Sequence, residues 1–508
     1  MRKYLETFKL TLSGVLTIFV ALLLMGCANQ VSAAPEKSRL SILYVGSDPN
    51  KPLSDRDRRL TAFPERVVEL RKSRSLDFEQ FLKEHFEKVS VVYGDTFKEG
   101  MSASYDVTII DAYLPAIVEK GGMVVDSETG EQTYVQPKYL TEQYNAAMVM
   151  IGEPSAFIGE GRQLKIDHLC LCLDAHAHSM KLNHPIFNVP YKVEINYEER
   201  ETPGNYKARY TGRHLGDTMP MWRMQIEGYE DGKGFPVGLV STGYGFDNGI
   251  DAEWISSGTC IKGVEAMAIG RHANFLHWGF AGAPRYMTES AKLAFINSIH
   301  YIASFKGAKQ VTRKIKGVRL KGYNIESQWM VSDQGAAAWL AYIDEARIES
   351  VQRKAEIQAK KEAGEPLTDQ ETRLLELPDQ PKETRAWTIQ YESDHLKEKF
   401  GQNWAAYEKY YAENMDYFYP SADQWHEKDL DEDAKSLGIA VGNLGLLEAA
   451  VGMLVKGEQV DMANRILNRY TNESFQSATE WSAWLKANYE RLYFSEGDGY
   501  KFIVLPEG

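Results

Sequence analysis

The chain has 508 residues, 44% of them hydrophobic and 25% charged, with 58 Lys and Arg against 71 Asp and Glu and a formal net charge of −13. That length suits two or three domains, and that acidity excludes a nucleic-acid partner and a polybasic membrane contact, each of which needs a basic face. The 28 Tyr and 10 Trp serve either large cores or aromatic platforms for sugar rings, and composition alone favours cores.

Arg2, Lys3 and Lys9 precede an apolar stretch from residue 10 to residue 25. A positive start and a short apolar run predict a secretory signal, not a permanent transmembrane helix. The stretch ends Leu24-Met25-Gly26-Cys27, which resembles the lipobox of bacterial lipoproteins. The resemblance implies a signal peptide over 1–26, cleavage before Cys27 and lipid attachment at that cysteine. The alternative is an ordinary signal peptide cut near Val31-Ser32-Ala33. Several acyl chains on one residue anchor a protein stably, where a single chain is marginal. Residues 27–38 are small and polar and suit a flexible tether. Ala28 offers no acid to retain the chain at the inner membrane, so the expected location is the cell envelope, anchored by lipid at the outer membrane. The segment removed carries Arg2, Lys3, Lys9 and Glu6, a net of +2, which leaves the mature chain near −15.

Three cysteines then remain: Cys170, Cys172 and Cys260. An odd count is not a disulfide framework. Cys170 and Cys172 are two apart on a predicted strand, where a bridge would be strained, so buried free thiols are expected.

Residues 40–46 form a β-prone run ending in glycine, the expected first strand of an α/β domain. Residues 66–86 predict a helix with an apolar stripe of Val67, Leu70, Phe78, Phe81 and Leu82. Further strands are expected at 89–94, 105–111, 146–152 and 169–173. Strands apolar on both faces, with helices between them, indicate a parallel sheet covered on both sides. Ligands of such sheets sit beyond the carboxyl ends of the strands. Residues 190–235 are polar, turn-rich and aromatic, a β-rich excursion or lid. Strands follow at 237–242 and 273–278. A helix over 288–305 with Thr288 as its N-cap closes the first domain near 308. Residues 309–330 are a basic linker. Residues 331–508 form a mostly α-helical C-terminal region. It holds a long charged helix over 336–363, a solvated connector around Pro366 and Pro378, and crowded aromatics from Trp404 to Tyr419. Three closing helices are expected at 443–456, 460–471 and 478–493, the first stopped by Gly457.

The strand and loop at 42–48, the strand at 146–152, His184-Pro185-Ile186-Phe187, and Gly270-Arg271-His272-Ala273-Asn274-Phe275 before a closing helix form an ordered series. The series resembles the trehalose-utilisation (ThuA-like) family over roughly residues 40–308. The resemblance implies a class I glutamine-amidotransferase-like, flavodoxin-like fold: a parallel sheet with helices on both faces, covering residues 39–308. It also implies a carbohydrate-derived ligand. The family ends its late strand in Gly-His, where this chain has Gly279-Phe280. The helical region resembles a module that accompanies such domains in exported bacterial proteins.

A glutamine amidotransferase needs a cysteine on a tight strand-to-helix elbow with small neighbours, so that backbone N–H groups face the oxyanion. Cys172 has Cys170 and Asp174 where glycines are wanted, and His184-Pro185 continues to Ile186 with no acid. Glutaminase activity is therefore not expected. His176 and His178 on an extended loop place both imidazoles on one side. Asp174 or His184 would complete a three-ligand site with an open position, and a divalent metal is the candidate cofactor. The alternative is a polar histidine loop. In residues 244–254, Asp247, Asp251 and Glu253 concentrate acid beside Tyr244 and Trp254. The cluster suits hydrogen bonding to a polyol or general acid–base work. The alternative is a solvated turn that lacks proper Ca²⁺-loop spacing. Arg271, His272 and Asn274 lie near the following strand, and Arg271 suits a carboxylate or a sugar oxygen.

Three functions follow. The first is an envelope lipoprotein whose ThuA-like domain binds or modifies a carbohydrate-derived ligand. Its candidate residues are Asp174, His184, Tyr244, Asp247, Asp251, Glu253, Arg271, His272 and Asn274, expected to meet at the strand ends. The second is a non-catalytic scaffold whose helical half docks an envelope protein. The third is a metal-dependent hydrolase built on the His176 and His178 loop.

Overall fold

A computed structural model describes residues 36–52, 64–125, 130, 132–226, 238–246, 249–421 and 427–507. Cys27, the apolar run before it and Asp247 lie outside the described residues.

The α/β half carries β1 (Ser38–Gly46), β2 (Phe86–Tyr93), β3 (Val107–Ile110), a hairpin of β4 (Gly122–Val125) and β5 (Gln132–Val135), and β6 (Ala147–Ile151). After these come β7 (Cys170–Leu173), β8 (His176–His178), β9 (Tyr197–Glu201), β10 (Thr218–Arg223), β11 (Gly238–Val240), β12 (Ala252–Gly258), β13 (Met267–His272) and β14 (Phe275–Trp278). Ten of them form one sheet in the order β2-β1-β3-β6-β14-β13-β12-β8-β10-β9. The first five are parallel. Counted among themselves they run 2-1-3-4-5, the flavodoxin-like order. The other half of the sheet is antiparallel, so the parallel sheet that the apolar runs predict is extended by five further strands.

Alternation along the parallel strands builds two cores. Ile42, Tyr44, Ile109, Val149 and Ile151 share one face; Leu43, Val45, Ile110, Met148 and Met150 share the other. Successive strand residues point to opposite faces, so a run apolar at every position must be covered twice. Phe78, Phe81 and Leu82 of α1 (Pro64–His85) and Phe295, Ile296 and Ile299 of α4 (Glu289–Ala303) cover the first face. Ile158 of α2 (Pro154–Gly161), with loop residues Phe97, Leu140 and Tyr144, covers the second. A short α3 (Gly204–Ala208) lies between β9 and β10. The Thr288 hydroxyl caps α4 by accepting from the Ala291 N–H, as its position predicts.

Three local expectations fail. Residues 169–173 are not a fifth parallel strand: β7 pairs antiparallel with β11, apart from the main sheet. Residues 176–178 are not a loop: β8 is a buried strand between β12 and β10. Cys170 and Cys172 are not free thiols but form a disulfide, with Cα atoms 5.4 Å apart. That spacing lies within the reach of a bridge, and two residues apart on a strand share one face. Cys260 is buried and free. For the stretch 190–235, the β-rich alternative holds over its described part, to residue 226: β9 and β10 pair and continue the sheet at its edge.

The C-terminal region is helical, as expected. It comprises α5 (Lys321–Val331), α6 (Asp333–Glu362), α7 (Asp369–Glu376), α8 (Asp394–Phe400), α9 (Trp404–Asn414), α10 (Glu432–Leu437), α11 (Gly445–Lys456), α12 (Val460–Tyr470) and α13 (Ala478–Asn488). Two ribbons join them, β15 (Phe418–Pro420) with β16 (Lys428–Leu430) and β17 (Leu492–Ser495) with β18 (Lys501–Val504). Gly457 ends α11 in the left-handed conformation, which favours glycine. The last helix stops earlier than 493 because residues from Leu492 onward pair with β18. Among the described residues no helix is long and apolar enough to cross a membrane.

The basic stretch before α5 is a strap across the α/β half, pinned by acids. Asp251 accepts from the Val311 N–H (2.6 Å), the Thr312 N–H (3.1 Å) and the Thr312 hydroxyl (2.6 Å). Lys314 pairs with Asp167, Arg313 with Glu142 and Lys316 with Glu160. From the other side, Asp498 accepts from the Arg313 N–H at 3.0 Å.

Candidate ligand-binding cleft

The carboxyl ends of β1 and β3, where ligands of this fold class sit, hold an internal ion pair. Asp111 follows β3 and accepts from Arg74 Nε (2.6 Å), Arg74 Nη2 (2.7 Å) and the Tyr44 phenol (2.6 Å). Arg74 Nη1 also donates to the Ala281 carbonyl at 2.6 Å. The strand-to-helix turn after β6 reads Gly152-Glu153-Pro154 and carries no cysteine. Cys172 is bonded to Cys170 and has no thiolate to offer.

The predicted polar residues meet instead beside the start of β14, near the amino-terminal ends of the parallel strands. Two knots form there. In the first, Glu253 accepts from Arg271 Nη2 (2.6 Å) and from the Tyr301 phenol, and lies 3.0 Å from His184 Nε2. Burial opposes the charge on Glu253, but donors from His184, Arg271 and Tyr301 outweigh it and hold the carboxyl down to about 2. The Arg271 guanidinium lies 3.9 Å over the Phe305 ring. In the second, Asp251 lies 3.3 Å from His272 Nε2 and holds the strap. His272 Nδ1 accepts from the Lys165 N–H at 2.8 Å, which fixes the neutral ring as an acceptor there.

The remaining candidates are dispersed. Asn274 is buried, and its amide donates to the Ala146 carbonyl at 2.6 Å, joining β14 to β6. Asp174 caps its own turn by accepting from the Ala175 N–H at 2.9 Å. His176 lies 3.3 Å from Glu198, and His178 lies 3.0 Å from the Tyr206 phenol. Burial pushes both imidazoles down to about 4, so both are neutral at pH 7. Among the described residues no three His, Cys, Asp or Glu side chains converge in a manner that holds a metal ion.

A cleft of about 440 Å³ opens where α5 packs on the α/β half. Tyr244 and Trp254 line it together with Ser179, Thr211, Glu265 and Lys321. Glycines let its walls pack closely. A β-carbon on Gly243 would strike the Glu265 carbonyl, and one on Gly322 would strike the Tyr244 ring. Glu265 accepts from the Thr211 hydroxyl at 2.7 Å and lies 3.4 Å from the Tyr244 phenol. Burial, helped by Glu265 and Glu326, pushes the Tyr244 phenol far above its ordinary range, so it stays a hydrogen-bond donor. Tyr244 packs edge-on against Tyr323, ring centroids 5.1 Å apart. The Trp254 Nε1 atom is shielded from solvent and has no acceptor among the described residues, an uncommon state for a buried indole. Aromatic walls with a few convergent polar groups at a domain joint are what small-molecule sites are made of.

No protein-family model matches the chain, and no curated protein matches it significantly.

Of the predicted residues, Tyr244 lines the cleft; His184, Glu253 and Arg271 join one knot and Asp251 and His272 the other. Ser179, Thr211, Glu265, Lys321 and Gly322 were not legible as site residues. They come from segments far apart in the chain and meet through the docking of α5, which no local pattern signals.

Proposed function

We propose that this chain is an envelope lipoprotein, anchored through Cys27, that holds a carbohydrate-derived ligand in the cleft between its α/β domain and its helical module. One observation carries the reading: Tyr244 and Trp254 share the cleft with Ser179, Thr211 and Glu265. Aromatic faces supply apolar contact for the carbon side of a sugar ring, and hydroxyl and carboxylate groups meet its rim. The two polar knots are supports. Glu253 and Asp251 are saturated by protein donors and hold β12, the helix α4 and the strap in place behind the cleft.

The test is calorimetric titration of the full-length chain, purified in mild detergent, with a panel of neutral sugars. Binding is expected, and Tyr244→Ala is expected to weaken it roughly tenfold, about 1.4 kcal/mol. In fractionation of whole cells, Cys27→Ser, which removes the acyl attachment point, is expected to take the chain out of the outer-membrane fraction. Absence of heat with every sugar removes the reading. Binding that Tyr244→Ala leaves intact moves it to another site.

A further inference from the structure

A second cleft, of about 560 Å³, lies along the same helix. Tyr210 of the α/β half forms one wall, and Gln328, Trp329 and Ser332 of the helical half form the other, with Glu408 at the side. Ile325 lines both clefts. Lys321 lines the first and Ser332 the second. Over that interval an α-helix rises about 16 Å at roughly 1.5 Å per residue, so the two clefts are successive stations on one path.

The second station repeats the first in kind. Trp329 meets Tyr210 edge-on, with centroids 6.2 Å apart. Its indole N–H donates to the Ala208 carbonyl at 2.7 Å, which fixes the ring. The Arg213 guanidinium lies 3.7 Å over Tyr210 and fixes that ring too. The amide of Gln328 supplies both donors and an acceptor. Acids outnumber bases in the lining: Glu265 and Glu496 line the first cleft, Asp333 and Glu408 the second, against Arg385 paired with Asp333 at 2.7 Å and Arg213 over the Tyr210 ring. Among the described residues the first cleft's lining holds one lysine, Lys321, which is paired with Asp416 at 2.7 Å. An anionic chain would meet repulsion there.

We infer that the two clefts form one extended site, and that its ligand is an uncharged oligosaccharide lying along α5 with a sugar ring at each aromatic station. This rests on the carbohydrate reading of the first cleft. It commits to chain length and to charge, which that reading leaves open. A polysaccharide strand of the envelope has this chemistry, and so does a free oligosaccharide. The contacts recognise the shared feature, a run of neutral pyranose rings.

The experiment titrates the full-length chain with mono-, tri- and hexasaccharides of neutral glucose and N-acetylglucosamine series, and with an oligouronate of matched length. Affinity is expected to rise roughly tenfold or more from mono- to hexasaccharide, as linked contacts add. Trp329→Ala is expected to erase that gain while leaving the monosaccharide affinity unchanged. Gln328→Ala, a milder change at a half-buried position, is expected to reduce the gain and keeps the test readable if Trp329→Ala does not fold. The oligouronate is expected not to bind. Monosaccharide binding with no gain in length overturns the extended site and leaves the first cleft standing. A gain that survives both variants overturns it as well. Tighter binding of the oligouronate overturns the assignment of charge. Absence of binding by every sugar removes the extended site and the reading beneath it.

Discussion

Glu326 is 6% exposed and accepts from the Tyr210 N–H at 3.2 Å. Burial, against the pull of Arg209 and with a further push from Glu265, raises its carboxyl to about 7. The fold therefore binds this proton more tightly than the unfolded chain does. Stability from this group is full below about 4.5, the ordinary carboxyl range, and is lost as pH rises through about 7. Glu326→Gln removes that loss. In chemical denaturation the variant is expected to gain about 2 kcal/mol on the wild type between pH 5 and pH 8; parallel curves for the two proteins would contradict this. Glu253 and Asp251 act oppositely, since donors hold both carboxyls below the ordinary range. Single residues were unevenly legible. Acids at 251 and 253 and a basic residue at 271 stand out in the chain, and they do meet. Whether such a cluster faces a ligand or its own donors depends on Tyr301 and Thr312, which lie tens of residues away. The Cys170–Cys172 bridge runs against the expectation of strain, since its Cα atoms lie 5.4 Å apart, within reach of a bond.

At the scale of elements, patterns that close on themselves were readable. A strand such as 147–151, apolar at all five positions, can be stable only with cover on both faces, and α4 announces its start through Thr288. Elements defined by a distant partner were not readable. His-Ala-His at 176–178 has the polarity of a loop, yet pairing with β12 and β10 buries it, and Tyr206 and Glu198 satisfy its imidazoles. The strap before α5 is of the same kind: basic residues at 313, 314 and 316 suggest a solvated linker until Glu142, Asp167 and Glu160 are seen opposite them. Asp251 is its main pin. Asp251→Asn keeps the shape but loses the charge that three donors share, and charged hydrogen bonds are worth ~2 kcal/mol each. The variant is expected to lose ~2 kcal/mol of stability and to be cut by trypsin within residues 309–320. Unchanged stability and resistance would show that the strap is held elsewhere.

At the scale of the whole molecule, the α/β order and the helical character of the C-terminal region were legible, and their joint was not. The joint is where the clefts lie. Helix α5 begins one side of both, and the loops around Tyr210, Tyr244 and Glu265 complete them. The usual ligand position of a flavodoxin-like sheet is meanwhile taken by Arg74 and Asp111. The proposed site thus moves from the carboxyl ends of the parallel strands to the junction of two units. Hydrogen–deuterium exchange of the full-length chain, with and without the neutral oligosaccharide that binds it best, tests that move most directly. Protection is predicted at residues 210–211, 243–245, 264–265 and 321–332. Protection at 46–48, 111–113 and 152–154 instead, or at no segment, would contradict it.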